Sequence, residues 1–390
     1  MKEMNWFERT IRKILSNRGF LSLLATFIAI IIGLIIGLVI MLIAKPQNAF
    51  AGIEYLFGRW LSTATPTRIG TWLHYSTSLI VLGLSVAFAF KTGLFNIGAT
   101  GQYTVGLFAA LYVGMAWTGL GQFQWLVGIL IAGLAGAFWG FFPGFFKSRF
   151  KVHEVISSIM FNYIGMYLVN FLITNVRNGS GELMLFDSSF GRTFVVPSSS
   201  YVPTTFFGID LRAIFPGSDI DIGFIIAILL ALLVFFILYK TKFGFELRAC
   251  GYNRHAAQYS GVNENRSITL SMIISGALAG IGGGLFILAS RAGNVGNIYK
   301  TVDVLLPEGF NGISVALLAL SHPIGIILAG LFISFIQRGG FFMQTLIKNE
   351  IADVIVAFII YASAISLIFQ TRISNWLLKQ RTEKKKEPKT

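Results

Sequence analysis

The sequence predicts an all-α integral membrane protein of about ten transmembrane helices, built as inverted repeats. Three observations lead there. Hydrophobic residues make up 55% of the 390 residues and charged residues only 12%, about half the charged fraction of a soluble domain, and mean hydropathy is +0.72. The apolar residues are gathered into runs of roughly 17–25, the length that crosses a bilayer. Two polar motifs of similar wording open two of these runs in opposite directions.

The spans fall at about 20–44, 73–90, 94–117, 123–146, 154–174, 222–239, 268–290, 309–322, 324–345 and 351–370. The first is too long for the apolar core of a cleaved signal peptide and reads as a retained helix. Orientation follows from the basic residues. They crowd the N-terminal arm (1–19), the turn at Lys147, Arg149 and Lys151, the loop 240–267 and the tail 371–390. Assigning these to the cytoplasm places the whole net charge of +14 on that side and leaves the other side balanced. Both termini are then cytoplasmic and the span count is even. Residues 20–370 form the transmembrane domain. Outside lie 45–72, with an amphipathic stretch over Ile53–Leu61, and a long extracellular loop at 175–221 rich in Gly, Ser, Pro and Thr. The charged tail after Arg381 has a disorder-prone composition.

Gly93-Leu94-Phe95-Asn96-Ile97-Gly98 opens the third span and Gly309-Phe310-Asn311-Gly312-Ile313-Ser314 opens the eighth. The charge assignment runs these spans in opposite directions, as in an inverted repeat with its substrate site near the midplane.

Enzyme chemistry finds no foothold. A phosphate-binding GxxxxGK[ST] loop is absent, the four histidines lack metal-ligand spacing, and no cofactor motif stands out. The lone Cys250 has no catalytic partner and reads as an inert thiol. Gly276, Gly280 and Gly284 recur at every fourth position inside an apolar run, which favours close helix packing over phosphate binding. Glu154, Glu350 and Asp353 sit at span ends, and Arg338 is the one charge well inside a span. Ion-coupled carriers place ionisable groups at mid-depth, so energy is expected from elsewhere. Asn96, Thr100, Gln102, Asn162, Asn170, Asn311 and Ser314 are costly facing lipid. Two readings are open for them: hydrogen bonding between helices, or lining a wet pathway.

The loop Lys240–Ser267 is the most specific feature. Helix-compatible pieces, Glu246–Ala249 and Arg254–Tyr259, are separated by Gly251 and closed by Gly261, so a short helix along the inner face could dock a soluble partner.

This loop resembles the coupling loop of permease subunits in ABC importers, in the branch that handles nucleosides, simple sugars and branched-chain amino acids. Residues 91–102, 153–160, 275–280 and 309–318 are similar to the same branch in order and spacing, and the wording of Phe95–Gln102 and Gly309–Leu318 looks most like nucleoside permeases. The resemblance implies the ten-helix, type II importer fold with inverted halves. It implies work as a pair with a second, related permease, two ATPase subunits (or one fused subunit) on the coupling loops, and an extracellular substrate-binding protein, often a lipoprotein. It assigns Glu246, Arg248, Gly251, Asn253, Ala256, Ala257 and Gly261 to the coupling surface. Asn96, Thr100, Gln102, Asn311 and Ser314 are then the expected pathway lining for a nucleoside moved by alternating access. The rivals are a sugar or branched-chain amino acid on the same machine, an ion-coupled secondary carrier, and a membrane-embedded enzyme.

Overall fold

A computed structural model describes residues 18–62, 65–293, 295–348, 350–351, 353–358 and 361. The expected arm up to Asn17, the tail 371–390 and most of the tenth span lie outside the described residues. The chain divides into two compact units, one of residues 1–59 with 336–390 and one of residues 60–335.

In the first unit, α1 (Arg18–Ala44) and α2 (Ala49–Leu56) are joined by a short turn. Asn48 Nδ2 and Lys45 Nζ donate to the Leu346 carbonyl at 3.1 and 3.3 Å. The amphipathic stretch expected at 53–61 begins earlier and is shorter as a helix.

The second unit carries α3 (Thr65–Lys91), α4 (Ala99–Ala116), α5 (Gln124–Phe150), α6 (Glu154–Asn175), α7 (Gly223–Lys240), α8 (Lys242–Tyr252), α9 (Arg254–Tyr259), α10 (Glu264–Ile287), α11 (Pro307–Leu318) and α12 (Pro323–Met343), the last as far as Phe335. Six helices among the described residues are long and apolar enough to cross a membrane: α3, α5 with its preceding turn, α6, α7, α10 and α12. Two expected spans depart from this. The third is helical only from Ala99, residues 94–98 being irregular. The eighth is 12 residues long, about 18 Å at ~1.5 Å per residue, well short of the ~30 Å hydrocarbon core. It ends in a turn where Leu320 and Ser321 take positive φ.

The core is α10 packed between α5 and α4. An added Cβ on Gly276 would collide with the Gly136 carbonyl, one on Gly280 with that of Ala132, and one on Gly106 with the backbone of Gly280. The four-residue glycine spacing thus brings backbones into contact, where dispersion forces act at close range without help from a hydrophobic effect.

The loop 175–221 is not featureless. It folds as two antiparallel hairpins, β1 (Phe186–Asp187) with β2 (Arg192–Thr193) and β3 (Thr205–Phe206) with β4 (Ile209–Asp210). A third hairpin, β5 (Ser290–Arg291) with β6 (Val295–Gly296), lies after α10. The loops are tied together by Arg212 Nη2 donating to Ser290 O and Oγ at 2.7 and 2.8 Å and by Ala292 N donating to Asp219 Oδ1 at 2.8 Å. Tyr299 OH donates to Asn170 Oδ1 at 2.8 Å.

Gly280→Leu should overfill the α5–α10 seam and cost at least about 1–3 kcal/mol. The expected outcome is a lower unfolding temperature in detergent than for Leu278→Ile; equal temperatures would contradict the close-packing account.

Candidate functional site at the junction of two interrupted helices

The N-termini of α4 and α11 meet. Gly309 lies so close to Thr100 that an added Cβ would strike its side chain and backbone, while Gly312 lies against Leu82 of α3. Leu82 is nine residues from Lys91, so the meeting point stands about 14 Å from that end of α3, near the middle of a bilayer-spanning helix. The echoing motifs are not conformationally equivalent: 94–98 is irregular, whereas 309–314 is helical.

Irregular backbone at this depth has to be satisfied by protein, and side chains do it. Asn162 of α6 donates from Nδ2 to Ile97 O at 3.1 Å and accepts Gly101 N–H on Oδ1 at 2.8 Å. The latter supplies a partner to the first turn of α4, where helix N–H groups have none. Asn96 donates to Gln102 Oε1 at 2.8 Å and Ser275 Oγ at 2.7 Å, and Gln102 Nε2 returns a bond to Asn96 Oδ1 at 3.3 Å. Asn96, Thr100 and Gln102 are buried, while Asn311 and Ser314 are half-exposed and make no side-chain hydrogen bond among the described residues. The five expected lining residues therefore divide into a buried group and an open pair.

Sequence reasoning passed over three features. The first is Glu308, in the first turn of α11, with a carboxyl oxygen buried and unpartnered among the described residues. The second is the close approach of His74 Nδ1 and Asp221 Oδ2 at 3.3 Å, with side chains 12% and 4% exposed. The third is a row of serines at every fourth position of α10. Ser267 Oγ meets the Cys250 thiol, Ser271 Oγ accepts from Thr92 Oγ1 at 2.8 Å, and Ser275 Oγ donates to Ser85 O at 2.7 Å. The spacing was present in the sequence; small residues in an apolar run hid its polar use.

The loop at the other end of α7 forms two helices. Thr241 Oγ1 caps α8 by accepting Gly244 N–H at 3.0 Å, and Asn253 Oδ1 caps α9 by accepting Ala256 N–H at 3.1 Å. The break therefore falls at Asn253 rather than at Gly251, which belongs to α8, and Gly261 closes α9 at φ +83°. Gly251 packs on the turn after α3, where an added Cβ would collide with the Lys91 carbonyl. Arg254 Nη2 donates to Gly93 O at 3.0 Å. Arg248 stacks 4.8 Å from the Tyr239 ring centroid. Ala257 is buried, Glu246 is half-buried and pairs loosely with Lys242 at 4.0 Å. Asn253 and Ala256 are exposed, beside Tyr252 and Tyr259 at 89% and 94% exposure.

No group of metal-ligating side chains is present among the described residues. Residues 68–364 match the family described as branched-chain amino acid transport system, permease component. The chain belongs to that family. It is accordingly a permease component and a multi-pass membrane protein, not an enzyme. It is 36% identical over 295 residues to the guanosine ABC transporter permease protein NupP of Bacillus subtilis, covering 75% of this chain and 79% of that one. It is 33% identical over 335 residues to the nucleoside ABC transporter permease protein NupB of Lactococcus lactis, covering 85% and 88%. The glucose ABC transporter permease protein TsgB13 of Haloferax volcanii is 28% identical, covering 67% and 66%. No solved structure matches.

Two outcomes are expected of this permease. Asn96→Leu strands Gln102 without its side-chain partner and should cost about 1–3 kcal/mol, read as reduced thermal stability in detergent; an unchanged transition would count against the network. Burial holds the Cys250 thiol above its usual range. The reactive thiolate is then scarce at neutral pH, so maleimide labelling of the folded protein should lag behind a denatured control and accelerate as pH rises. Equal rates at neutral pH would contradict the buried placement.

Proposed function

We propose that this permease forms half of the translocation pathway of an ATP-driven importer and passes nucleosides inward by alternating access. One observation carries the mechanism: α8 and α9 rest on the backbone of the turn 91–93, through Gly251 and Arg254, and that turn leads into the irregular segment that starts α4. A push on these helices from the cytoplasm is thereby delivered to the mid-depth junction. The substrate class is taken from NupP and NupB.

The partners of this reading are a second, related permease, ATP-hydrolysing subunits on Glu246, Arg248, Gly251, Asn253, Ala256, Ala257 and Gly261, and an extracellular substrate-binding (lipo)protein. Exposed Tyr252 and Tyr259 add aromatic surface beside those residues, a common interface anchor. Both termini lie in the cytoplasm of the cell. Supporting this, Lys91, Lys147 and Lys240 end α3, α5 and α7, and Lys151 Nζ reaches Asn265 beyond the coupling helices at 3.3 Å. Ten spans in two inverted halves complete the fold, with α4 and α11 as the interrupted pair. Asn311, Ser314 and Thr100 face the solute, while Asn96 and Gln102 hold the junction from behind.

TsgB13 favours a simple sugar as the second reading. A competition panel of purine and pyrimidine nucleosides, ribose, glucose and leucine, in cells with and without this chain, separates the two. Nucleosides should compete and uptake should vanish without the ATPase partner. Arg254→Glu should cut uptake about tenfold or more at normal membrane abundance. Uptake that follows an ion gradient without ATPase would overturn the importer reading, and competition by glucose alone would overturn the substrate.

A further inference from the structure

We propose that Glu308, with Thr100 and the Tyr103–Ser78 hydroxyls, forms a mid-depth subsite that takes the vicinal hydroxyls of a nucleoside's ribose. The inference rests on the nucleoside reading above and adds to it the part of the substrate recognised and the side chains that do so.

The argument starts from polar atoms without partners. Thr100 is fully buried, and its Oγ1 has no hydrogen-bond partner among the described residues. The Glu308 carboxyl turns back on its own backbone N–H, and its Oε2 is likewise buried and without a partner. These are neighbours, since Thr100 packs directly on Gly309. One turn along α4, the buried Tyr103 hydroxyl lies toward Ser78 and Glu308 and is also without a hydrogen-bond partner among the described residues. Buried polar groups left unpaired are costly, and a native structure that keeps three at one helix junction calls for a reason.

The chemistry of the group selects its ligand. An unpartnered carboxyl oxygen is an acceptor, so the ligand must offer donors. Hydroxyls both donate and accept, so Thr100, Tyr103 and Ser78 can exchange bonds with a diol that also donates to Glu308. The site is reachable along α11, where Glu308, Asn311 and Ser314 are successive i, i+3 neighbours and all half-exposed. The carboxylate also stands in the first turn of α11, where the helix dipole favours negative charge and no buried cation is needed beside it. A vicinal diol is shared by all ribonucleosides, so this subsite tolerates different bases.

The test is uptake of labelled guanosine against its 2′,3′-dideoxy analogue in cells carrying the full transporter, with membrane abundance and assembly with the second permease measured in parallel. The wild-type complex should prefer guanosine. Glu308→Gln should shrink the preference about tenfold. Thr100→Val, which preserves shape while removing the hydroxyl, should shrink it by a smaller factor. An unchanged preference in assembled Glu308→Gln and Thr100→Val overturns the subsite alone. So does a Glu308→Gln change that alters guanosine against cytidine while leaving the dideoxy preference intact, because the carboxylate then reads a base edge. If Glu308→Gln fails to assemble, an unchanged preference in Thr100→Val overturns it. A wild-type transporter that takes up no nucleoside overturns the nucleoside reading and the subsite with it.

Discussion

Between Leu94 and Gly98 the chain gives up helical geometry inside a bundle of helices, where each peptide group needs a partner within the protein. Asn162 answers that requirement from a neighbouring helix by holding Ile97 O and Gly101 N–H with one amide. The position of α4 depends on this staple, because it fixes both the irregular segment at Ile97 and the first helical turn at Gly101. Asn96, Gln102 and Ser275 then occupy the space beneath it with a closed network. A segment left without these bonds would tend to rewind as helix, and the junction with α11 would be lost.

One edge of α10 carries this arrangement to α8. Ser267 faces Cys250 of α8, Ser271 holds Thr92, and Ser275 holds Asn96. The same helix meets α5 at glycines on another edge. Contacts of that closeness leave little room for internal bending, so α4, α5 and α10 are suited to move as one body. Displacement of α8 and α9 has two routes into that body, through Gly251 and Arg254 on the turn 91–93 and through Cys250 on Ser267. Rigid transmission suits alternating access, which works by rocking packed bodies around a central site.

Much of this was legible in the sequence for physical reasons that can be named. Apolar length gave α3, α5, α6, α7, α10 and α12, because a bilayer sets a minimum span. Four-residue glycine spacing gave the α10 seam. The two helical pieces within 240–267 were legible, though the break was placed at Gly251 when the Asn253 cap makes it. A glycine there serves close approach to Lys91 instead, which local sequence cannot express. Asn96 and Gly98 left the continuity of the third span open in the sequence, as Asn311 and Gly312 did for the eighth; the third is broken at 94–98 and the eighth ends at Leu318. Glu308 was passed over because a carboxylate next to Pro307 looks like an ordinary helix start at a membrane surface. Only the contact of Gly309 with Thr100 places it deep. For Asn96 and Asn311, sequence left pairing and lining as equal readings; for Asn96 pairing is what the bonds display, and burial leaves the open polar surface to Asn311 and Ser314.

The shortage of charge at the junction bears on how such a pathway can turn over. A site that binds tightly in one conformation has to release in the other, and the differential affinity must come from partners gained and lost. Neutral hydroxyls and amides exchange partners with water at small net cost, whereas a full ion pair would resist separation. One carboxylate among hydroxyls lies between these limits. It gives the interior a reason to prefer a solute with donors, yet its helix-dipole setting keeps it tolerable when the solute has left.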